Sequence, residues 1–205
     1  MNKSSFILLL CCPFLLFAQE QDFQLWSKVG VSYDLNKDLR VSLDQAYRAR
    51  ENASLPDVTF SNVSVKYDLK KRWSVALGYR FINDFDLSQN SSSSHRFYTD
   101  INYRKKQKRW LLKNRLRYQY QEENFTLRDK VSLSYNVRKT PLEPYTAFEL
   151  FFKEAEFKKW RYTLGASYPL SKPLDASAYY RLQQSFNTNN PKQLHILGVG
   201  IDYKF

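Results

Sequence analysis

QLHILGVGIDYKF, residues 193–205, ends the chain on a regular alternation. Leu197, Val199, Ile201, Tyr203 and Phe205 share one parity, while Gly198, Gly200 and Asp202 share the other. Successive side chains of a strand point to opposite faces, so this stretch reads as a half-apolar strand whose last residue is aromatic. Such a strand suits the closing position of a membrane β-barrel. The apolar parity would meet lipid, and the glycines would sit on the lumen side, where lack of bulk gives room. The alternative is an ordinary edge strand of a soluble sheet.

Upstream, the same period recurs. In WSVALGYRFINDF, Trp73, Val75, Leu77, Tyr79, Phe81 and Phe85 oppose Ser74, Ala76, Gly78, Arg80 and Asp84. RWLLKNRLRYQYQ sets Trp110, Leu112, Leu116, Tyr118 and Tyr120 against Lys113, Arg115, Arg117 and Gln119. FTLRDKVSLSYNV and WRYTLGASYPL repeat the scheme, with Arg128, Lys130 and Arg161 on the polar parity. Segments of this type fall near 23–35, 39–51, 57–69, 73–85, 95–105, 109–121, 125–138, 143–153, 158–170, 174–186 and 193–205. Most are longer than the usual five or six residues of a globular strand. They match the roughly nine to eleven residues, plus ends, of a tilted bilayer-spanning strand. The expectation is an all-β, antiparallel up-and-down transmembrane barrel of about 10–12 strands. Twelve is preferred, because bacterial barrels usually have even counts.

The connections alternate as well. NKD, KKR, KKQK, RKTPLE and SKP read as tight basic turns; ENASLP, DLSQNSSSS and NTNNPK read as longer polar loops. Lys70, Lys71, Arg72, Lys105, Lys106 and Lys108 are placed in turns on this reading, and residues 86–94 form a surface loop. Short periplasmic turns and longer outer loops are the barrel pattern. Trp26, Tyr33, Trp73, Trp110, Tyr135, Trp160, Tyr168 and Tyr203 gather at strand ends, as an interfacial girdle would.

The N-terminus supplies the compartment. MNKSSFILLLCCPFLLFA, residues 1–18, has a cationic start, an apolar run and a small residue before QEQD. It reads as a cleaved signal peptide, which leaves 19–205 as one barrel domain. The run is too short to cross a bilayer as a helix. Both cysteines, Cys11 and Cys12, fall inside it, so the mature chain has no disulfide, Cys-zinc site or thiol nucleophile. Leu10 before Cys11 argues against a lipoprotein cleavage site.

The whole sequence carries a net charge of +12 over 205 residues. Such charge suits nucleic acid, an anionic membrane surface or an anionic solute, and export disfavours the first. The expected location is the outer membrane of a Gram-negative cell. The expected partners are its lipid, the barrel-assembly machinery and small anions.

Trp26 with YDLNKDLRVSLDQAYRAR, then LGYRFIND, HRFYTDINYR, LLKNRLRYQYQ, LRDKVSLSYNV, EPYTAFELFF, YRLQQ and HILGVGIDYKF, form an ordered series of segments. On these the chain resembles a family of uncharacterised outer-membrane barrels, domain of unknown function 2490. It covers nearly all of the mature chain. It implies a barrel in the outer membrane of Bacteroidota-like bacteria, and no activity, substrate or functional residue. Barrel precursors of this kind end on an aromatic alternating strand that the assembly machinery reads. Leu197, Val199, Ile201, Tyr203 and Phe205 fit that signal.

No spacing marks catalysis, a metal or a cofactor. His95 and His195 lack the His-x-Ser spacing of an outer-membrane phospholipase, and Ser171, Ser177 and Ser185 align with neither. Asp84, Asp100 and Glu149 are candidate lumen carboxylates without a marked partner. The stronger signal is a basic polar parity. Arg80, Arg104, Lys113, Arg115, Arg117, Arg128, Lys130, Arg161 and Arg181 are the candidate lumen-lining residues. They suit Arg–carboxylate bracing of a narrow barrel or an anion-selecting passage. A lipid- or peptide-cleaving membrane enzyme and a soluble periplasmic binding protein are the alternatives.

Overall fold

The computed structural model describes residues 20–70, 72–188 and 190–205. The segment read as a signal peptide lies outside these, as does Lys71. The described residues form eleven strands and no helix: β1 Glu20–Asp34, β2 Leu39–Arg50, β3 Leu55–Asp68, β4 Trp73–Phe85, β5 Ser91–Gln107, β6 Trp110–Gln121, β7 Asn124–Tyr135, β8 Glu143–Lys153, β9 Glu156–Pro169, β10 Leu174–Ser185 and β11 Lys192–Lys204. Each coincides with one of the eleven alternating segments.

Sequence neighbours pair antiparallel all the way round, and β1 pairs with β11 to close the barrel. The preference for twelve strands is thereby corrected to eleven. With an odd number, the first and last strands run the same way. The closing pair is therefore parallel, in register from Glu20↔Lys192 to Ser32↔Lys204. The described chain begins at one end of the barrel and finishes at the other.

Parallel pairing is slightly weaker per residue than antiparallel pairing. Here charged groups bridge the seam. Lys28 Nζ lies 2.5 Å from Asp202 Oδ1 and 3.4 Å from Asp44 Oδ1. Lys204 Nζ lies 2.8 Å from Asp34 Oδ2, and the Phe205 N–H donates to Ser32 O at 2.9 Å. These side chains are partly exposed, so each pair contributes about 1 kcal/mol at most.

The two faces invert the soluble pattern. Val29, Val63, Leu77, Ile101, Leu116, Val131, Leu164 and Val199 point outward and are exposed, Leu77 by 65%. Exposed aromatics stand above and below them. Tyr33, Tyr67, Trp73, Trp110, Tyr168 and Tyr203 ring one end, and Phe23, Tyr47, Phe97, Tyr118, Phe125 and Tyr180 the other. Trp73 packs at a tilt against Tyr103 and Trp110 against Tyr135, at centroid distances of 4.9 and 4.7 Å. Buried polar groups lie inside. Trp26 departs from the expected girdle. It has the parity of Lys28 and Gly30, points inward, and is buried.

Link lengths do not separate the ends as expected. One end carries links 35–38, 69–72, 108–109, 136–142 and 170–173; the other carries 51–54, 86–90, 122–123, 154–155 and 186–191. Charge separates them instead. Among the described residues, the first set has eight Lys or Arg against the single carboxylate Asp38. The second set has Glu51, Asp86, Glu122, Glu123 and Glu154 and no Lys or Arg. Two further placements change. Lys105 and Lys106 belong to β5, which runs on to Gln107. The loop placed at 86–94 ends at Asn90, because Ser91–Ser94 pair with Phe85–Ile82 of β4.

Candidate functional site

Inward side chains surround a cavity of about 1370 Å³. Its wall holds nineteen Lys and Arg side chains and five carboxylates, Asp44, Asp100, Glu149, Asp175 and Asp202. All nine candidate basic residues are on it: Arg80, Arg104, Lys113, Arg115, Arg117, Arg128, Lys130, Arg161 and Arg181. Asp100 and Glu149 also face inward.

Ion pairs brace the barrel's middle. Arg117 makes a two-pronged pair with Asp100, Nε at 2.6 Å and a terminal nitrogen at 2.7 Å. Glu149 takes Arg115 at 2.6 Å and Arg128 at 2.7 Å, with Arg161 at 3.8 Å. Glu149 and Arg117 side chains are only 6% and 7% exposed, whereas Lys28 and Asp202, toward the basic end, are 39% and 48% exposed. The interior therefore passes from an exposed basic mouth to a braced, secluded middle. Beyond it, Ala46, Phe60 and Ile82 form an apolar cluster.

Among the described residues, aromatic rings also hold interior cations, both those paired with carboxylates and Arg48 and Arg80, which are not. The Arg48 guanidinium lies 3.8 Å from the Trp26 centroid, and that of Arg80 lies 3.9 Å from Phe60. Arg117 covers Tyr98 at 3.7 Å, and Arg128 and Arg161 each approach Phe151 to 4.6 Å. A ring quadrupole orients a cation without neutralising it. The interior thus keeps a positive excess.

Glycines make room for some of these rings. A Cβ on Gly78 would enter the Tyr98 ring, and a Cβ on Gly198 the Tyr179 ring. Gly200 faces Ser177 instead, with Oγ 2.8 Å from where a Cβ would stand. All five glycines of the chain lie in strands, and none has positive φ.

A family model described as protein of unknown function (DUF2490) matches residues 23–195, from β1 into β11. The chain belongs to this family. Among curated proteins, none matches it.

Among the described residues, the DUF2490 barrel gives each histidine a tyrosine partner and no serine hydrogen bond. His95 and His195 stand on the outward face near the acidic end. Each ring Nδ1 shares a hydrogen bond with a tyrosine: Tyr79 Oη at 2.7 Å and Tyr180 Oη at 2.6 Å. Ser177 and Ser185 have the inward parity, on the other side of the wall, and Ser171 lies in a turn. Among the described residues, no group of three or more His, Cys, Asp or Glu is placed to hold a metal.

Sequence reading missed Trp26, Phe60, Phe151 and Lys159 as interior groups. Parity alone identifies Lys159, which alternates with Arg161 and Thr163. The outward C-terminal residues Leu197, Val199, Ile201, Tyr203 and Phe205 are all exposed.

Proposed function

We propose that this DUF2490 chain is an integral outer-membrane β-barrel of a Gram-negative cell and that its interior is a narrow passage for small anions. One observation carries the membrane reading: the outward face is predominantly apolar and exposed, with aromatic rows at both ends, while most of the strands' charge is packed inside. In water, an exposed apolar band of this extent would drive association. In lipid it is the required outer surface, and closure leaves no strand edge unpaired. The signal-peptide pattern of residues 1–18 and the aromatic end at Phe205 fit export and reading by the assembly machinery. The excess of Arg and Lys on the cavity wall supports preference for anions.

The buried Asp100–Arg117 and Glu149–Arg128 pairs favour a second reading, in which the middle is a brace and the barrel is structural. Membrane fractionation and planar-bilayer recording test both. The membrane reading expects a protein that resists high-salt extraction and migrates differently before and after boiling. Salt release without a mobility shift would sink it. The passage reading expects small single-channel steps and a reversal potential on the anion side in a KCl gradient. A folded barrel that does not conduct would leave the structural reading.

A further inference from the structure

The cations beside the closing seam are arranged differently from those at Glu149. Arg48 of β2, Arg161 of β9 and Arg181 of β10 place their guanidinium centres 3.8, 5.2 and 5.2 Å from one ring, the Trp26 indole. Lys159 joins them through Phe151, its Nζ 5.1 Å from that ring. Like charges gathered in a secluded space repel, and salt screens them little there.

The side-chain hydrogen bonds of two of these arginines are made through Nε. Arg181 donates from Nε to Thr163 Oγ1 at 2.9 Å, and Arg161 from Nε to Gln183 Oε1 at 2.6 Å. Arg161 also has Glu149 at 3.8 Å, but no carboxylate lies within 4.0 Å of Arg48, Arg181 or Lys159 among the described residues. The indole is itself fixed. Trp26 Nε1 donates to Gln24 Oε1 at 2.9 Å, and Gln24 Nε2 donates to Asp22 Oδ2 at 2.9 Å. All four cations and Trp26 line the same cavity.

We infer that Arg48, Arg161, Arg181 and Lys159 form a binding site beside Trp26 for a phosphate group, as the free oxyanion or as a phosphomonoester. Guanidinium forks match the oxygens of a phosphate, and a doubly charged group relieves the repulsion of several cations at once. Aromatic stacking holds the forks in place before the anion arrives. The inference rests on the reading of the interior as open to small anions.

Trp26 reports on its own site. Trp73, Trp110 and Trp160 have the outward parity, so the full barrel carrying W73F, W110F and W160F keeps one emitter, inside the cavity. In detergent micelles, inorganic phosphate is expected to change its emission to saturation, while NaCl at equal ionic strength does not. R48Q and R181Q should each weaken the response about tenfold or more, as expected for loss of a charge-assisted bond. K105Q/K106Q, which removes as much charge as R48Q/R181Q but beyond the mouth, should leave it unchanged.

A response that follows ionic strength alone overturns the site. So does wild-type affinity in R48Q/R181Q. If the arginine variants do not fold, as judged by heat-modifiable mobility, saturation of the reporter by phosphate and not by chloride decides. Tighter binding of glycerol 3-phosphate supports a phosphomonoester; weaker binding supports the free oxyanion. An anion-selective barrel without phosphate saturation overturns the site alone. A saturable Trp26 response in a barrel that conducts no anions overturns the passage and not the site.

Discussion

The Tyr179 ring lies over Gly198, filling the space that a side chain at that position would take. The two residues face each other across β10 and β11, beside the seam. G198A must displace a ring and should cost about 1–3 kcal/mol, the range for overpacking a filled site. G200A meets Ser177 Oγ and the Lys28 stem and should cost less than half as much. Because the penalty at Gly198 depends on the ring, G198A combined with Y179A should fall short of additivity by about 1 kcal/mol or more. Urea unfolding followed by gel mobility measures all of these.

Glu149 is the anion on which the braced middle depends. E149Q removes the charge shared by Arg115, Arg128 and Arg161 and leaves buried arginines unpaired. Breaking one side of a buried pair costs about 3–5 kcal/mol. The same substitution should raise anion selectivity in bilayers, because it subtracts negative charge from the braced middle. A stability unchanged within about 0.5 kcal/mol would mean that water, and not Glu149, satisfies these arginines.

The β6–β7 link is a two-residue turn, Glu122–Glu123, with φ of 48° and 62°. Both values are in the left-handed region that Asn-Gly fills in hairpins of this kind, and two glutamates there also repel. E122N/E123G should stabilise the barrel by about 0.5–1 kcal/mol without changing its register. A loss of stability would show that the glutamates hold a contact at the acidic end.

Asp86 orders the β4–β5 link. Its carboxylate accepts the side-chain amide of Asn90 at 3.1 Å and the Asn90 backbone N–H at 2.8 Å. These bonds, the side-chain one foremost, lower its pKa below the ordinary carboxylate value. A depressed pKa contributes order that is full above the unfolded value, near 4, and is lost as pH falls through the folded one. The protection factor of the Asn90 amide, its exchange relative to the intrinsic rate at each pH, should therefore fall below about pH 4 while strand amides keep theirs. N90A should move that transition upward in pH.

The strands were legible because period two maps directly onto a wall with one apolar face. Arg80 and Arg161 reached the interior by parity alone. Trp26 was misplaced because its position at a strand end outweighed its parity with Lys28 and Gly30. Strand number was less accessible. Alternation says that β1 and β11 are strands but not that they pair in parallel, since closure is decided by the whole ring. Ser91–Ser94 read as a loop because serine has little strand preference; pairing with β4 overrides that. Which carboxylate meets which arginine depends on register between distant strands, so the Glu149 cluster was not foreseeable from any local pattern.

Asn114 and Asp129 are the test of what touches the outer wall. Both have outward parity near the middle of β6 and β7, among Leu112, Leu116, Leu127 and Val131, and Asn114 Nδ2 donates to Asp129 Oδ1 at 2.6 Å. A carboxylate at mid-height on a lipid face is costly, though less so than a Lys or Arg there. Its hydrogen bond reduces the cost and does not abolish it. If lipid covers this surface, N114L/D129L should raise stability in lipid vesicles by about 1–2 kcal/mol. N114L alone should lower stability by about 1–3 kcal/mol, since it strands Asp129. If the double variant is destabilised instead, or loses an oligomer band on mild gels, a protein partner covers the pair.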